Sequence, residues 1–134
     1  MSLELGRRER EGVAILDLEG RLTAGEDSAR LREMLRELAA AGSARVILNL
    51  RGVDYIDSTG LGALVIGYTT LKKAGGKLAL LNLNRRNIEL LVFTKLTTVF
   101  EIFSDEQEAV NSFFPERAIQ RFDILSFLAE QAQD

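Results

Sequence analysis

The feature that most constrains this fold is an alternation of two apolar periodicities. RVILNL at 45–50 and KLALLNL at 77–83 are continuous apolar runs, the pattern of strands buried on both faces. Between and around them, apolar residues recur at helical spacing. In 26–41, Leu31, Met34, Leu35 and Leu38 fall at i, i+3, i+4 and i+7, while Arg30, Arg32, Glu33, Arg36 and Glu37 take the wet positions. Gly42 then offers a left-handed helix end. In 59–73, Leu61, Leu64, Val65, Tyr68 and Leu71 make one stripe, and Lys72 and Lys73 sit in the last turn, where cations suit the helix dipole. Shorter signals complete the series. Residues 3–9 read as an edge strand, and a Glu11-Gly12 turn leads to a strand at Val13–Leu18 that pairs back as a hairpin. A short helix carries Ile88, Leu91 and Val92, a strand covers Phe100–Phe103, and Ser104-Asp105-Glu106-Gln107 is a capping pattern opening a helix through Phe113. Strands alternating with helices predict an α/β fold: a small mixed, mainly parallel sheet flanked by helices. Sites in such folds lie at the carboxyl ends of the strands.

The 134 residues suffice for one compact domain. There is no Cys and no His, which removes thiol nucleophiles, His-based triads, disulfides and Cys/His zinc sites. With 17 Lys and Arg against 20 Asp and Glu, the net charge is −3, so no broad basic footprint exists for nucleic acid or an anionic membrane. No apolar run approaches the roughly 18 residues of a membrane span. Asp17 and Glu19 break the apolar stretch after MSLELGRRER, so no signal peptide is expected. A chain without cysteine is compatible with the cytoplasm.

The most specific segment is Asp54-Tyr55-Ile56-Asp57-Ser58-Thr59-Gly60-Leu61-Gly62, which leaves a buried strand and opens a helix. Ser58 stands where an N-cap or first-turn residue belongs, and as a cap its hydroxyl would accept from a free backbone N–H two or three residues on. Gly60 and Gly62 leave little side-chain cover, which would let another molecule approach the backbone. Plain helix capping explains the same residues. Enzymatic readings fit poorly. Gly60-Leu61-Gly62-Ala63-Leu64-Val65 begins like a dinucleotide fingerprint, but Val65 holds the third small position and Asn82 and Asn84 stand where an acidic ribose ligand is needed. A nucleophile elbow would need Gly where Ile56 is, and no phosphate-binding GxxxxGK[ST] loop exists. Asp54 and Asp57 alone are too few for a metal site, and no cofactor is expected.

The stretch VDYIDSTGLGALV resembles the STAS domain family, in particular the bacterial anti-sigma factor antagonists. Gly20-Arg21-Leu22, the VILNL strand, and FEIF with Ser104 and Glu108-Ala109 extend the resemblance over about residues 3–114. It implies a small sheet flanked by helices and a regulatory interaction protein, not an enzyme. It implies that Ser58 is phosphorylated by a partner serine kinase that is itself the anti-sigma factor, with a phosphatase able to reverse the mark. It also implies that Asp57, Thr59, Gly60, Leu61 and Gly62 lie on the partner-facing surface. Alternatives are a STAS subunit of another assembly, such as a stress-signalling complex or a lipid-transport ATPase, or a nucleotide-binding domain using the Gly60 turn.

The chain departs from the family after residue 114, giving a division into a STAS-like domain (1–114) and a C-terminal helical extension (115–134). Ala118, Ile119, Phe122, Leu125 and Ala129 make a helical stripe, so residues 116–130 are expected as a helix with Ile119, Phe122 and Leu125 buried. Packing on the chain's own body or a homodimer contact would each supply the surface it needs. Arg7-Arg8-Glu9-Arg10 reads as a solvated edge strand. Asn82, Asn84 and Asn87 with Arg85 and Arg86 read as a polar turn that could also line a partner or anion site.

Overall fold

The computed structural model describes residues 3–133. Five strands form one sheet in the order β1 (Glu4–Arg10), β2 (Val13–Leu22), β3 (Arg45–Ile56), β4 (Lys77–Leu81) and β5 (Glu101–Phe103). β1 and β2 are an antiparallel hairpin, and every other neighbouring pair is parallel. The helices are α1 (Glu26–Ala40), α2 (Ser58–Lys73), α3 (Arg85–Phe93), α4 (Glu106–Asn111) and α5 (Ile124–Gln133). This is the mixed, mainly parallel α/β sheet that the alternating periodicities require.

Strand alternation divides the core in two. Leu16, Leu18, Val46, Leu48 and Leu80 point to one face, where Leu31, Leu35 and Leu38 of α1 and Leu61, Leu64 and Leu71 of α2 cover them. Val13, Ile15, Ile47, Ala79, Leu81 and Phe103 point to the other. There α4 supplies Ala109 and Val110, and the chain beyond it adds Phe113, Phe114 and Ile119.

The structure corrects several boundaries. β2 and β3 run on to Leu22 and Ile56, past the expected strand ends at Leu18 and Leu50. The two pair through an irregular register, with Glu19 opposite Gly52 and Arg21 opposite Tyr55. A Cβ at position 52 would lie 2.9 Å from the Leu18 carbonyl oxygen, so only glycine permits this approach. Arg51 and Asp54 stay exposed while Val53 and Ile56 enter the core. β4 stops at Leu81, short of the expected Leu83, because Asn82 turns into the left-handed region at φ 60°. α4 is capped by Asp105, which accepts from the Glu108 N–H at 3.0 Å, and ends at Asn111.

The charged edge strand is not simply solvated. The Arg8 guanidinium donates to Asp17 at 2.7 Å and also to Glu106, and Arg10 donates to Glu106 at 2.6 Å, tying β1 to α4.

The expected helix over 116–130 is also overturned. Residues 118–123 are non-helical, and α5 begins only at Ile124. The Phe122 N–H donates to the Ile102 carbonyl at 2.8 Å, and Arg121 pairs with Glu101 at 2.9 Å. β5 is an edge strand with free carbonyls, and the extended segment satisfies one of them. Ile119 and Phe122 pack against opposite core clusters, whereas Leu125 is 80% exposed.

Candidate functional site

Between the end of β3 and the start of α2 stands one residue, Asp57, in extended conformation at φ −91°. All its polar groups are engaged. Oδ1 accepts from the Gly60 N–H at 2.7 Å, and Oδ2 accepts from the Ala24 N–H at 3.0 Å. Its own N–H donates to the Leu22 carbonyl at 3.1 Å, and its carbonyl accepts from the Leu61 N–H at 2.8 Å. Asp57 is therefore at once the N-cap of α2 and a tie to the β2–α1 connection.

Ser58 is the first helical residue, not the cap. It is exposed, and its hydroxyl makes no hydrogen bond among the described residues. It stands at the positive end of the α2 dipole on a backbone that its neighbours hold in place. Thr59 beside it is also exposed.

Gly60 and Leu61, expected on the outer surface, face inward. Leu61 belongs to the main core, and a Cβ on Gly60 would lie 2.0 Å from the Leu22 carbonyl oxygen. The glycine is required here by the chain's own β2, which packs directly against the first turn. Gly62 is different: a Cβ there would meet nothing within 4 Å, so its face is open to close approach.

The polar residues after β4 are largely structural. Asn84 caps α3 by accepting from the Asn87 N–H at 2.8 Å, and its Nδ2 donates to the Val53 and Asp54 carbonyls at 3.2 and 3.1 Å. Asn87 Nδ2 donates to Val53 at 3.0 Å. These bonds anchor the start of α3 to the end of β3, beside Ser58. Arg85 pairs with Glu89 at 3.4 Å, while the Arg86 guanidinium lies 5.3 Å from the Tyr55 ring centre. Asn82 donates to Asn49 at 3.3 Å on the other side of the sheet.

A groove of about 450 Å³ opens from Ser58 between the end of β3 and α3, with Tyr55, Arg86, Asn87, Leu90 and Phe93 along it. Sequence reasoning gave Leu90 and Phe93 no role, and Tyr55 only a place in the motif. The helical spacing of Ile88 and Leu91 was the available signal, because Phe93 falls off that stripe. Among the described residues no group of three or more Asp and Glu could hold a metal ion, and no helix is long and apolar enough to cross a membrane.

Comparison with known proteins follows the same residues. The sequence pattern of the STAS domain matches residues 5–109. The anti-sigma-B factor antagonist of Bacillus subtilis (strain 168) is 41% identical over 80 residues, covering 60% of this chain and 72% of that protein. An anti-sigma factor antagonist from Mycobacterium paratuberculosis has the same fold at a TM-score of 0.71 and 18% identity, over 84% of this chain and 94% of that one. The Bacillus protein SpoIIAA superposes almost equally in two states. Its unphosphorylated form has a TM-score of 0.64 at 16% identity, over 87% of this chain and 100% of its own. Its phosphorylated form has 0.63 at 20%, over 83% and 98%.

Proposed function

The chain belongs to the STAS domain family, among the anti-sigma factor antagonists, and from that premise we propose that it is a protein-interaction switch controlled by phosphorylation of Ser58. Unphosphorylated, it binds an anti-sigma factor that is itself a serine kinase, and a sigma factor is freed for transcription. The kinase phosphorylates Ser58, the complex separates, and a phosphatase restores the unmodified form. The exchange takes place in the bacterial cytoplasm and needs no cofactor bound to this chain.

The observation that carries this reading is the free, exposed Ser58 hydroxyl on a rigid helix start. A phosphate adds about −1.5 to −2 charges at pH 7. At an exposed helix N-terminus such charge is stabilised by roughly 0.3–1 kcal/mol, so the isolated domain keeps its fold. The near-equal superposition on both forms of SpoIIAA supports this. Inside a closed contact the same charge loses its water and sits beside Asp57, so the cost falls on the complex.

The test is incubation with each candidate anti-sigma serine kinase of the host and ATP, followed by mass spectrometry. One phosphate is expected on Ser58. Ser58→Ala should accept none, and because Asp57 rather than Ser58 is the cap, its stability should stay within about 0.5 kcal/mol of the wild type. Ser58→Ala should keep the kinase in calorimetry, and Ser58→Glu should weaken it. Undiminished labelling of the alanine variant, or equal affinity of the alanine, glutamate and phosphorylated forms, would overturn the switch.

A further inference from the structure

We propose that the groove beside Ser58 is the pocket into which the kinase partner inserts an apolar side chain, with an adjoining carboxylate received by Arg86 and Arg21. This deepens the Ser58 reading and rests on it.

Phe93 is 87% exposed and Tyr55 is 38% exposed, and both line the groove that has Ser58 on its margin. Phe93 ends α3, a helix whose Ile88 and Leu91 are buried, so its ring faces solvent while the helix itself is well packed. An aromatic pair at the lip of a groove is the anchor-pocket arrangement that dominates binding at protein interfaces.

Asn87 adds a buried polar group to the groove. It is 1% exposed and lines the same groove, and its Nδ2 is used by the Val53 carbonyl. Its Oδ1 is buried and has no hydrogen-bond donor among the described residues. A buried amide oxygen without a donor is rare and costly.

The charges name the partner's chemistry. Arg21, Asp54, Tyr55 and Arg86 line an adjoining hollow, and neither arginine forms an ion pair among the described residues. Glu89, also on the groove, is engaged by Arg85. An apolar residue next to an acidic one therefore complements this surface. The kinase is the favoured occupant because it must reach Ser58. A phosphate on Ser58 would stand at the edge of the pocket, repel the incoming carboxylate and compete for Arg86.

Calorimetry of wild type, Phe93→Ala, Arg86→Glu and a control, Leu125→Ala, against the kinase that labels Ser58 tests the pocket. Phe93, Arg86 and Leu125 are all exposed, so the variants should fold, as circular dichroism would verify. Weakening by about tenfold or more is expected for Phe93→Ala and Arg86→Glu, with the Leu125 control unchanged. A photo-crosslinking residue at position 93 should capture the kinase, and do so less once Ser58 is phosphorylated. If the kinase binds wild type while both groove variants stay within about twofold of it and no crosslink forms, the pocket is wrong and the Ser58 reading stands. If no kinase binds or labels the wild type, that reading falls and the pocket with it. A Phe93-dependent dimer in sedimentation, with kinase affinity unmoved, would assign the groove to a second copy and overturn the proposal.

Discussion

At the start of α2, Asp57 accepts from the N–H three residues on at 2.7 Å; at the start of α5, Asp123 does the same from Ser126 at 3.0 Å. The local chemistry is alike, and the standing of the two helices is not. Around Asp57 the second carboxylate oxygen, the backbone N–H and the Gly60 Cα face all engage the β2–α1 region. The second oxygen of Asp123 accepts from the hydroxyl of Ser126, at 2.7 Å, a bond within the same helix turn. Leu61 in the first turn of α2 is buried, whereas Leu125 in the first turn of α5 is 80% exposed. A cap states where a helix begins. Only long-range contacts state whether that beginning is rigid enough to present a residue to a partner.

Gly60→Ala breaks the rigid side of the comparison most severely. The new methyl would overlap a backbone oxygen that cannot rotate away, so a loss of about 2–3 kcal/mol is expected in denaturant unfolding. Next comes the pair of cap deletions. Asp57→Ala removes a cap and a cross-chain tie, and should cost about 2 kcal/mol globally. Asp123→Ala should leave the global midpoint unchanged and speed amide exchange only around Ser126 and Phe127. A global loss from Asp123→Ala would show that α5 is as integral as α2.

α4 stands between the two, capped locally by Asp105 but tied across the sheet by charge. Hydrogen bonds from Arg8 hold the Glu106 and Asp17 carboxyls below the usual carboxylate range, with Arg10 adding to the effect at Glu106 and Asn49 at Asp17. Because the folded values are depressed, this stabilisation is full above the unfolded values and is lost as pH falls through the folded ones. Below about pH 4 the β1–α4 contact should therefore weaken. Thermal melts between neutral and acid pH should show a smaller drop for Arg8→Gln than for wild type; equal drops would assign the acid sensitivity elsewhere. The smallest effect is expected at Gly62→Ala, where open space and helix propensity favour a gain of roughly 0.5–1 kcal/mol. Kinase affinity in the same variant would report whether a partner uses that opening.

The parts of the fold that were legible are those whose cause is local. Leu31, Met34, Leu35 and Leu38 repeat at the pitch of α1, and the RVILNL and KLALLNL runs are too apolar to lie outside a sheet. The tail misled because the spacing of Ile119, Phe122 and Leu125 is helical, while the Ile102 carbonyl that holds Phe122 in extended chain lies 20 positions away in sequence. The apolar signal of β3 stops at Leu50 for the same reason, since RGVDYI is held as strand by β2 and its one indispensable glycine is needed only when that strand is opposite.

By itself, the sequence determined the order of strands and helices, the position of the DSTGLG turn at a strand-to-helix junction, and the exclusion of thiol and histidine chemistry. These follow from side-chain periodicity and from which functional groups exist at all. Tertiary structure alone decided that Asp57 rather than Ser58 caps α2, that Gly60 and Leu61 turn inward while Ser58 and Thr59 stay out, and that Tyr55 and Phe93 line one groove. Each of those outcomes depends on a group distant in the chain, the Leu22 carbonyl, the Ala24 N–H or the Val53 carbonyl, whose position is set only when the sheet has formed.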